Sequence, residues 1–165
     1  PDPILRRKAS RVTRMDRSIQ QLIDDMFETM EASHGVGLAA NQIGVPLRIL
    51  VMGIPDEEEE GKVHKLVLIN PELIKKSGER TVDEGCLSIP GYRGQLNRAE
   101  WVKVKALDRD GKEVRLKAEG LMAQCLEHEI DHLDGVLYID RMKEQGTLDT
   151  LRAIDKAELE EIVAA

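Results

Sequence analysis

Aromatic side chains are nearly missing from this chain, which has one Trp, two Tyr and one Phe among 165 residues. Proteins that hold single-stranded nucleic acid stack its bases on such rings, so that partner is not expected. The core must instead be built from Leu, Ile, Val, Met and Ala. Cysteine is scarce too: Cys86 and Cys125 are the only two. Such a pair fits reduced thiols in a cytosol-like compartment better than a disulfide framework. Long Lys/Arg runs are absent and the net charge is −7, which argues against neutralising a phosphate backbone. No segment approaches the roughly 20 consecutive apolar residues that cross a bilayer. The start, Pro1-Asp2-Pro3-Ile4-Leu5-Arg6-Arg7, lacks the hydrophobic region of a secretion signal. These absences point to a cytoplasmic protein, or to an organellar one if a targeting segment ahead of Pro1 has been removed.

What is present suits a folded domain. Hydrophobic residues make up 41% and charged residues 33%, and the length predicts one domain over residues 1–165. Asp16 caps a predicted helix whose apolar residues Ile19, Leu22, Ile23, Met26 and Met30 recur at helical spacing, ending before Gly35. Leu47 to Met52 and Leu66 to Ile69 read as strands on either side of a solvated acidic loop, Asp56 to Glu60. Trp101 to Ala106 alternates, and Asp110-Gly111 signals a hairpin into Glu113 to Leu116. Leu121, Met122, Cys125, Leu126, Glu129, Ile130 and Leu133 fit a second helix stopped by Asp134-Gly135. Val136 to Ile139 reads as a strand, and Thr147 opens a charged helix with Leu148, Leu151, Ile154, Leu159 and Ile162. Strands clustered between helices predict an α+β fold. It is expected to be a mainly antiparallel sheet around the helix bearing His128 and His132, with an N-terminal amphipathic helix and a C-terminal helix.

The segment His128-Glu129-Ile130-Asp131-His132 carries the sharpest chemical signal. Helix residues four apart share a face with Cβ atoms about 5–6 Å apart, so two imidazoles can grip one ion. Glu129 between them can handle the proton of a water at that ion. By itself the pattern also describes a surface helix with two solvated histidines. A catalytic divalent site needs a third protein ligand. No histidine follows His132, and Glu144, Glu158, Glu160 and Glu161 suit polar, solvated faces. Upstream, Glu84-Gly85-Cys86-Leu87-Ser88 offers a thiol, and Cys86 is the preferred third ligand, although alone it would read as a small buried apolar residue. In Gly35-Val36-Gly37-Leu38-Ala39-Ala40-Asn41-Gln42, small residues let another backbone come close and leave one amide to aim inward. That suits an extended peptide, although alone the segment would read as a tight helix-to-strand turn.

Taken in order, these segments resemble the three signature motifs of the peptide deformylase family: Gly35-x-Gly37-x-Ala39-Ala40-x-Gln42, Glu84-Gly85-Cys86-Leu87-Ser88 and His128-Glu129-x-x-His132. The likeness extends through Pro1-Asp2-Pro3, Ile69-Asn70-Pro71 and Arg98-Ala99-Glu100 to Gly135, nearly the whole chain. Members commonly carry residues ahead of the Pro-Asp-Pro segment that are absent here, and they vary after Gly135. The resemblance implies a hydrolase that removes formyl groups from the N-terminal methionine of nascent polypeptides at the ribosome. It also implies one divalent metal, ferrous iron in the cell, with zinc, nickel or cobalt able to replace it.

On that resemblance, Cys86, His128 and His132 hold the metal, and Glu129 acts as general base and then acid. The Gln42 amide and the Leu87 backbone N–H donate to the oxyanion. Gly37 offers backbone hydrogen bonds to an extended substrate. Arg93 reaches a substrate carbonyl or chain terminus, or is a solvated loop arginine. Val36, Leu121, Gln124 and Cys125 line a methionine slot, or form a plain core face. Asp131 pairs with Arg98, Glu84 is structural, and His34 and His64 face solvent. Two rivals stay open: a zinc peptidase, whose third ligand usually lies beyond the helix, and a structural metal site or inactive peptide binder. Glu129 argues against the latter, because a structural site needs no base.

Overall fold

The computed structural model describes residues 2–164, with side chains described through residue 161. Pro1 and the Ile162 side chain lie outside the described residues. Helix α1 (Arg17–Ala32) starts where Asp16 Oδ1 accepts the Ile19 N–H at 3.1 Å. It buries Ile19, Ile23, Met26 and Met30. Strands β1 (Gly37–Ala39), β2 (Ile49–Pro55), β3 (Val63–Ser77), β6 (Trp101–Leu107) and β7 (Glu113–Glu119) form a five-stranded sheet in the order β1-β2-β3-β6-β7. Strands β4 (Arg80–Cys86), β5 (Ile89–Arg98) and β8 (Arg152–Ala153) form a second sheet. All pairings between these strands are antiparallel among the described residues. With α2 (Gly120–Leu133), α3 (Tyr138–Gln145) and α4 (Lys156–Ala164), the architecture is α+β with antiparallel sheets and four helices.

Alternation along β2 explains the layering. Ile49 and Val51 face α1 together with Leu38 and Ile69, whereas Leu50 and Met52 face α2 with Leu68, Val102, Val104 and Leu126. Successive strand side chains point to opposite faces, so a strand covered on both sides reads as one continuous apolar run. Helix α2 contributes Ala123, Leu126, Ile130 and Leu133 to the same cluster. Burying a side chain such as Ile23 or Leu126 contributes about 1.5–3 kcal/mol.

Three segments differ from the sequence expectation. Val136 to Ile139 is not a strand: Tyr138 begins α3, the Leu137 N–H donates to Asp140 Oδ2 at 2.8 Å, and Tyr138 and Met142 bury one helical turn apart. A four-residue apolar run does not separate strand from buried helix, and the cap three residues on decides it. The helix expected from Thr147 is divided into a single turn at Leu148–Thr150, strand β8 and then α4. Asp155 Oδ1, accepting the Glu158 N–H at 2.8 Å, supplies the late start. Strands β4 and β5 are additional to the expected elements, because β4 is mostly polar and β5 exposes Pro90, Gly91, Tyr92 and Gln95.

Candidate metal centre

Helix α2 sets His128 and His132 one turn apart, with ring centroids separated by 4.9 Å. Cys86 ends β4 at a register shift that follows Gly85 and turns its sulfur toward the helix, 3.2 Å from His132 Nε2. One ligating atom from each of Cys86, His128 and His132 lies within 4.8 Å of the other two. A thiolate and two imidazoles at that spacing form a donor set suited to a divalent transition metal.

The surroundings orient the set. His128 Nδ1 meets Glu84 Oε1 at 2.6 Å, which leaves Nε2 to face the shared point. Glu84 is in turn held by buried Arg98, whose Nε and Nη2 donate at 2.7 and 2.9 Å. Arg98 Nη1 also donates to Asp131 Oδ2 at 2.8 Å, and Arg141 Nη2 donates to the other Asp131 oxygen at 2.9 Å. Burial alone would raise the Glu84 carboxyl, but the Arg98 and His128 hydrogen bonds outweigh it and hold the group at about 2. Burial, together with neighbouring His128, pushes His132 down to about 3, so that imidazole is neutral as a metal ligand must be. For His128 burial acts downward too, yet the hydrogen bonds its ring donates to Cys86 and Glu84 carry it well above its ordinary value. The negative groups around His128 are ones that a bound cation would satisfy instead.

Glu129 is buried beside these groups, with Oε1 4.0 Å from His128 Nε2. Its Oε2 has no hydrogen-bond partner among the described residues. Buried carboxylate oxygens are rarely left so, and one beside a donor triad fits a cation with an ordered water next to it. Burial is the first cause lifting this carboxyl to about 7. His132 Nδ1 is likewise unpartnered among the described residues, so of the two imidazoles only His128 is oriented by a carboxylate.

The small-residue segment closes the other wall. A Cβ on Gly37 would stand 2.6 Å from Cys125 Sγ and 3.0 Å from Glu129 Cγ, so the glycine is required by the approach of α2. Gln42 Oε1 accepts the Ala39 N–H at 2.9 Å, and its Nε2 donates to Ser88 Oγ at 3.1 Å and points at Cys86 Sγ, 3.8 Å away. Leu87 sits at the β4–β5 turn with its side chain exposed. A cleft of about 490 Å³ opens over Cys86, His128 and Glu129. Val36, Leu121, Gln124, Cys125 and Arg93 all border it. Cys125 is buried, which pushes its thiol up. The Gln124 amide donates to Asp83 O at 3.4 Å. Arg93 spends Nε and Nη2 on Asp83, at 2.6 and 3.2 Å, so only Nη1 is left to reach a ligand. His34 and His64 are exposed, and His34 stands at the rim of the same cleft.

Glu84 has the structural place expected of it, paired with Arg98, and its second contact, on His128 Nδ1, is one the sequence does not announce. Glu84 lies two residues before Cys86 on β4, across the register shift that follows Gly85, so simple strand alternation does not announce the contact. Ile154 and Leu159 also border the cleft, and nothing local to them announces it.

Residues 1–147 match the family model described as Polypeptide deformylase. The chain is similar to a peptide deformylase of Dehalococcoides mccartyi, 54% identical over 156 residues that cover 94% of this chain and 90% of the relative. Its fold is similar to that of a solved peptide deformylase from Legionella pneumophila, with a TM-score of 0.78 and 44% identity over 99% of this chain and 94% of the other. It is also similar to a class I type b peptide deformylase from Acinetobacter baumannii solved with Met-Ala-Ser bound, with a TM-score of 0.79 and 35% identity over 85% of this chain and 92% of that one.

Proposed function

The chain belongs to the polypeptide deformylase family of enzymes, and from that membership we propose that it removes the formyl group from the N-terminal methionine of nascent polypeptides, releasing formate. The observation that carries the reading is the unpartnered, buried Glu129 Oε2 beside Cys86, His128 and His132. The proposed ligands are Cys86 Sγ and the Nε2 atoms of His128 and His132. A divalent cation held there would supply Lewis acidity toward the formyl oxygen and would lower the pKa of a bound water. One thiolate and two neutral imidazoles favour a sulfur-tolerant metal, for which we propose ferrous iron in the cell, with zinc, nickel or cobalt as replacements.

Glu129 takes the proton of the attacking water and returns it to the departing amine. A carboxyl lifted to about 7 suits both transfers. Gln42 is positioned for the oxyanion. With Oε1 fixed by the Ala39 N–H, its amide nitrogen must face the cleft. The Leu87 backbone N–H is the second donor, and losing one such donor typically costs on the order of 10²–10³ in rate. Gly37 supplies backbone hydrogen bonds to an extended peptide. Val36, Leu121, Gln124 and Cys125 form the methionine slot, and the Nη1 of Arg93 is available to a substrate carbonyl. That the Acinetobacter baumannii protein was solved with Met-Ala-Ser bound supports a peptide as the ligand. We take residues 1–165 as one domain acting on nascent chains at the ribosome in the cytoplasm, without contact to nucleic acid or membrane. No described helix is long and apolar enough to cross a membrane.

Loading the protein anaerobically with ferrous iron and supplying formyl-Met-Ala-Ser tests the reading. Formate should appear in step with a free methionine amine while the peptide bonds stay intact. Cleavage inside the peptide, or no formate from fully loaded protein, overturns it.

A further inference from the structure

Residues beyond 147 lie past the family match and return to the cleft. The Gln95 N–H donates to Thr150 Oγ1 at 2.9 Å. Strand β8 pairs with β5 through Tyr92↔Ala153 and Arg93↔Arg152, and the Ile154 N–H donates to Gly91 O at 2.9 Å. Arg152 ties this strand to the first turn of α4, with two N–H groups on the Glu158 carboxylate at 2.8 and 2.9 Å. These contacts hold Ile154 and Leu159 against the same cleft that Cys86, His128 and Glu129 border.

The cleft is rimmed with unusual apolar exposure. Of the eight large hydrophobic side chains exposed among the described residues, five border it: Val36, Leu87, Tyr92, Leu121 and Leu159. A contiguous exposed apolar patch marks a place where an apolar ligand group is taken up. The proposed methionine slot is built by α2 and the approach to β1, whereas Ile154, Leu159 and Tyr92 reach the cleft from the β5 side. An extended peptide turns successive side chains to opposite faces. With methionine seated toward α2, the residue directly after it is offered to the β5 side.

We propose that Ile154, Leu159 and Tyr92 form a subsite for apolar side chains that follow methionine in the substrate, so that the C-terminal segment sets selectivity beyond the first residue. The subsite rests on the deformylase reading above. Its occupant is an aliphatic side chain: among the described residues Arg152 is engaged by Glu158 and Asp83 by Arg93, whose one remaining N–H group suits a main-chain carbonyl and not a side chain.

The test compares kcat/KM for formyl-Met-Leu-Leu and formyl-Met-Ser-Ser on the metal-loaded full chain. The ratio of the two cancels the fraction of active enzyme, so partial loss of folded protein cannot imitate the effect. Truncating Ile154 leaves its backbone bond to Gly91 in place. The Leu-over-Ser ratio should fall about tenfold in the Ile154→Ala/Leu159→Ala double variant, mostly through KM. Leu159→Asp should raise the relative rate on formyl-Met-Lys-Lys about threefold, a gain that no folding defect produces. An unchanged ratio in the double variant, or no gain with the lysine peptide, overturns the subsite while leaving deformylation standing. Absence of formate from every peptide with the unmodified chain removes the proposed function, and the subsite with it.

Discussion

Glu84 Oε1 lies 2.6 Å from His128 Nδ1, and that contact joins the sheet that supplies Cys86 to the helix that supplies both histidines. It fixes the His128 ring with Nε2 toward the shared point, and it is possible only because Arg98 neutralises Glu84 from behind. Asp131 completes the chain on the far side of Arg98. A buried charge network of this kind contributes little net stability as a whole but is costly to break at one member. Its value lies in orientation.

Glu84→Gln keeps the size of the side chain and an acceptor for His128 while removing the charge. Metal affinity should fall about 10–100-fold, the usual effect of losing the partner behind a ligating histidine. A competitive chelator titration measures this directly, and unchanged affinity would show that Glu84 does not tune the centre.

The same residue predicts an acid limit to stability. Its carboxyl sits at about 2 in the folded protein against an ordinary 4.5. A depressed carboxyl contributes stability that is full above the unfolded value and is lost as pH falls from about 4.5 to about 2. The loss is on the order of 3 kcal/mol, at 1.36 kcal/mol per pKa unit. Denaturant unfolding at stepped pH should show that slope in the unmodified chain and a flatter one in Glu84→Gln.

Gly37→Ala tests the close approach of β1 and α2. The added methyl carbon would stand 2.6 Å from Cys125 Sγ, an overpacking that costs about 1–3 kcal/mol. Cys125→Ala removes that neighbour, so the double variant should recover part of the lost stability. Strict additivity in thermal unfolding of the two changes would mean that the strand and helix do not press on each other there.

Periodicity carried the parts of this molecule that are locally determined. His128 and His132 share a face because 3.6 residues make a turn, and α1 could be bounded from Asp16 and its apolar repeat. Val136 to Ile139 is too short to show a period, and the one local sign that separates α3 from a strand is the Asp140 cap three residues past Leu137. The β4–β5 hairpin was hidden because both strands expose polar side chains. Glu84 meets His128, and β8 meets β5, across sequence separations that no window spans. Such pairings are decided by tertiary contacts, and they are the ones that shape the cleft.

Glu129→Gln separates the proton carrier from the proposed ligands. The variant keeps Cys86, His128 and His132, so metal content should stay stoichiometric while formate release drops by about 10²–10⁴, the range for losing a positioned general base. In the unmodified chain burial holds the carboxyl at about 7, and the group must be ionised to accept a proton. Rate should therefore fall as pH drops. A bound cation nearby favours the charged form and moves that limb below 7. The acid limb should vanish from the residual activity of Glu129→Gln. If it persists with the same midpoint, the proton belongs to another group, and Glu129 is not the base.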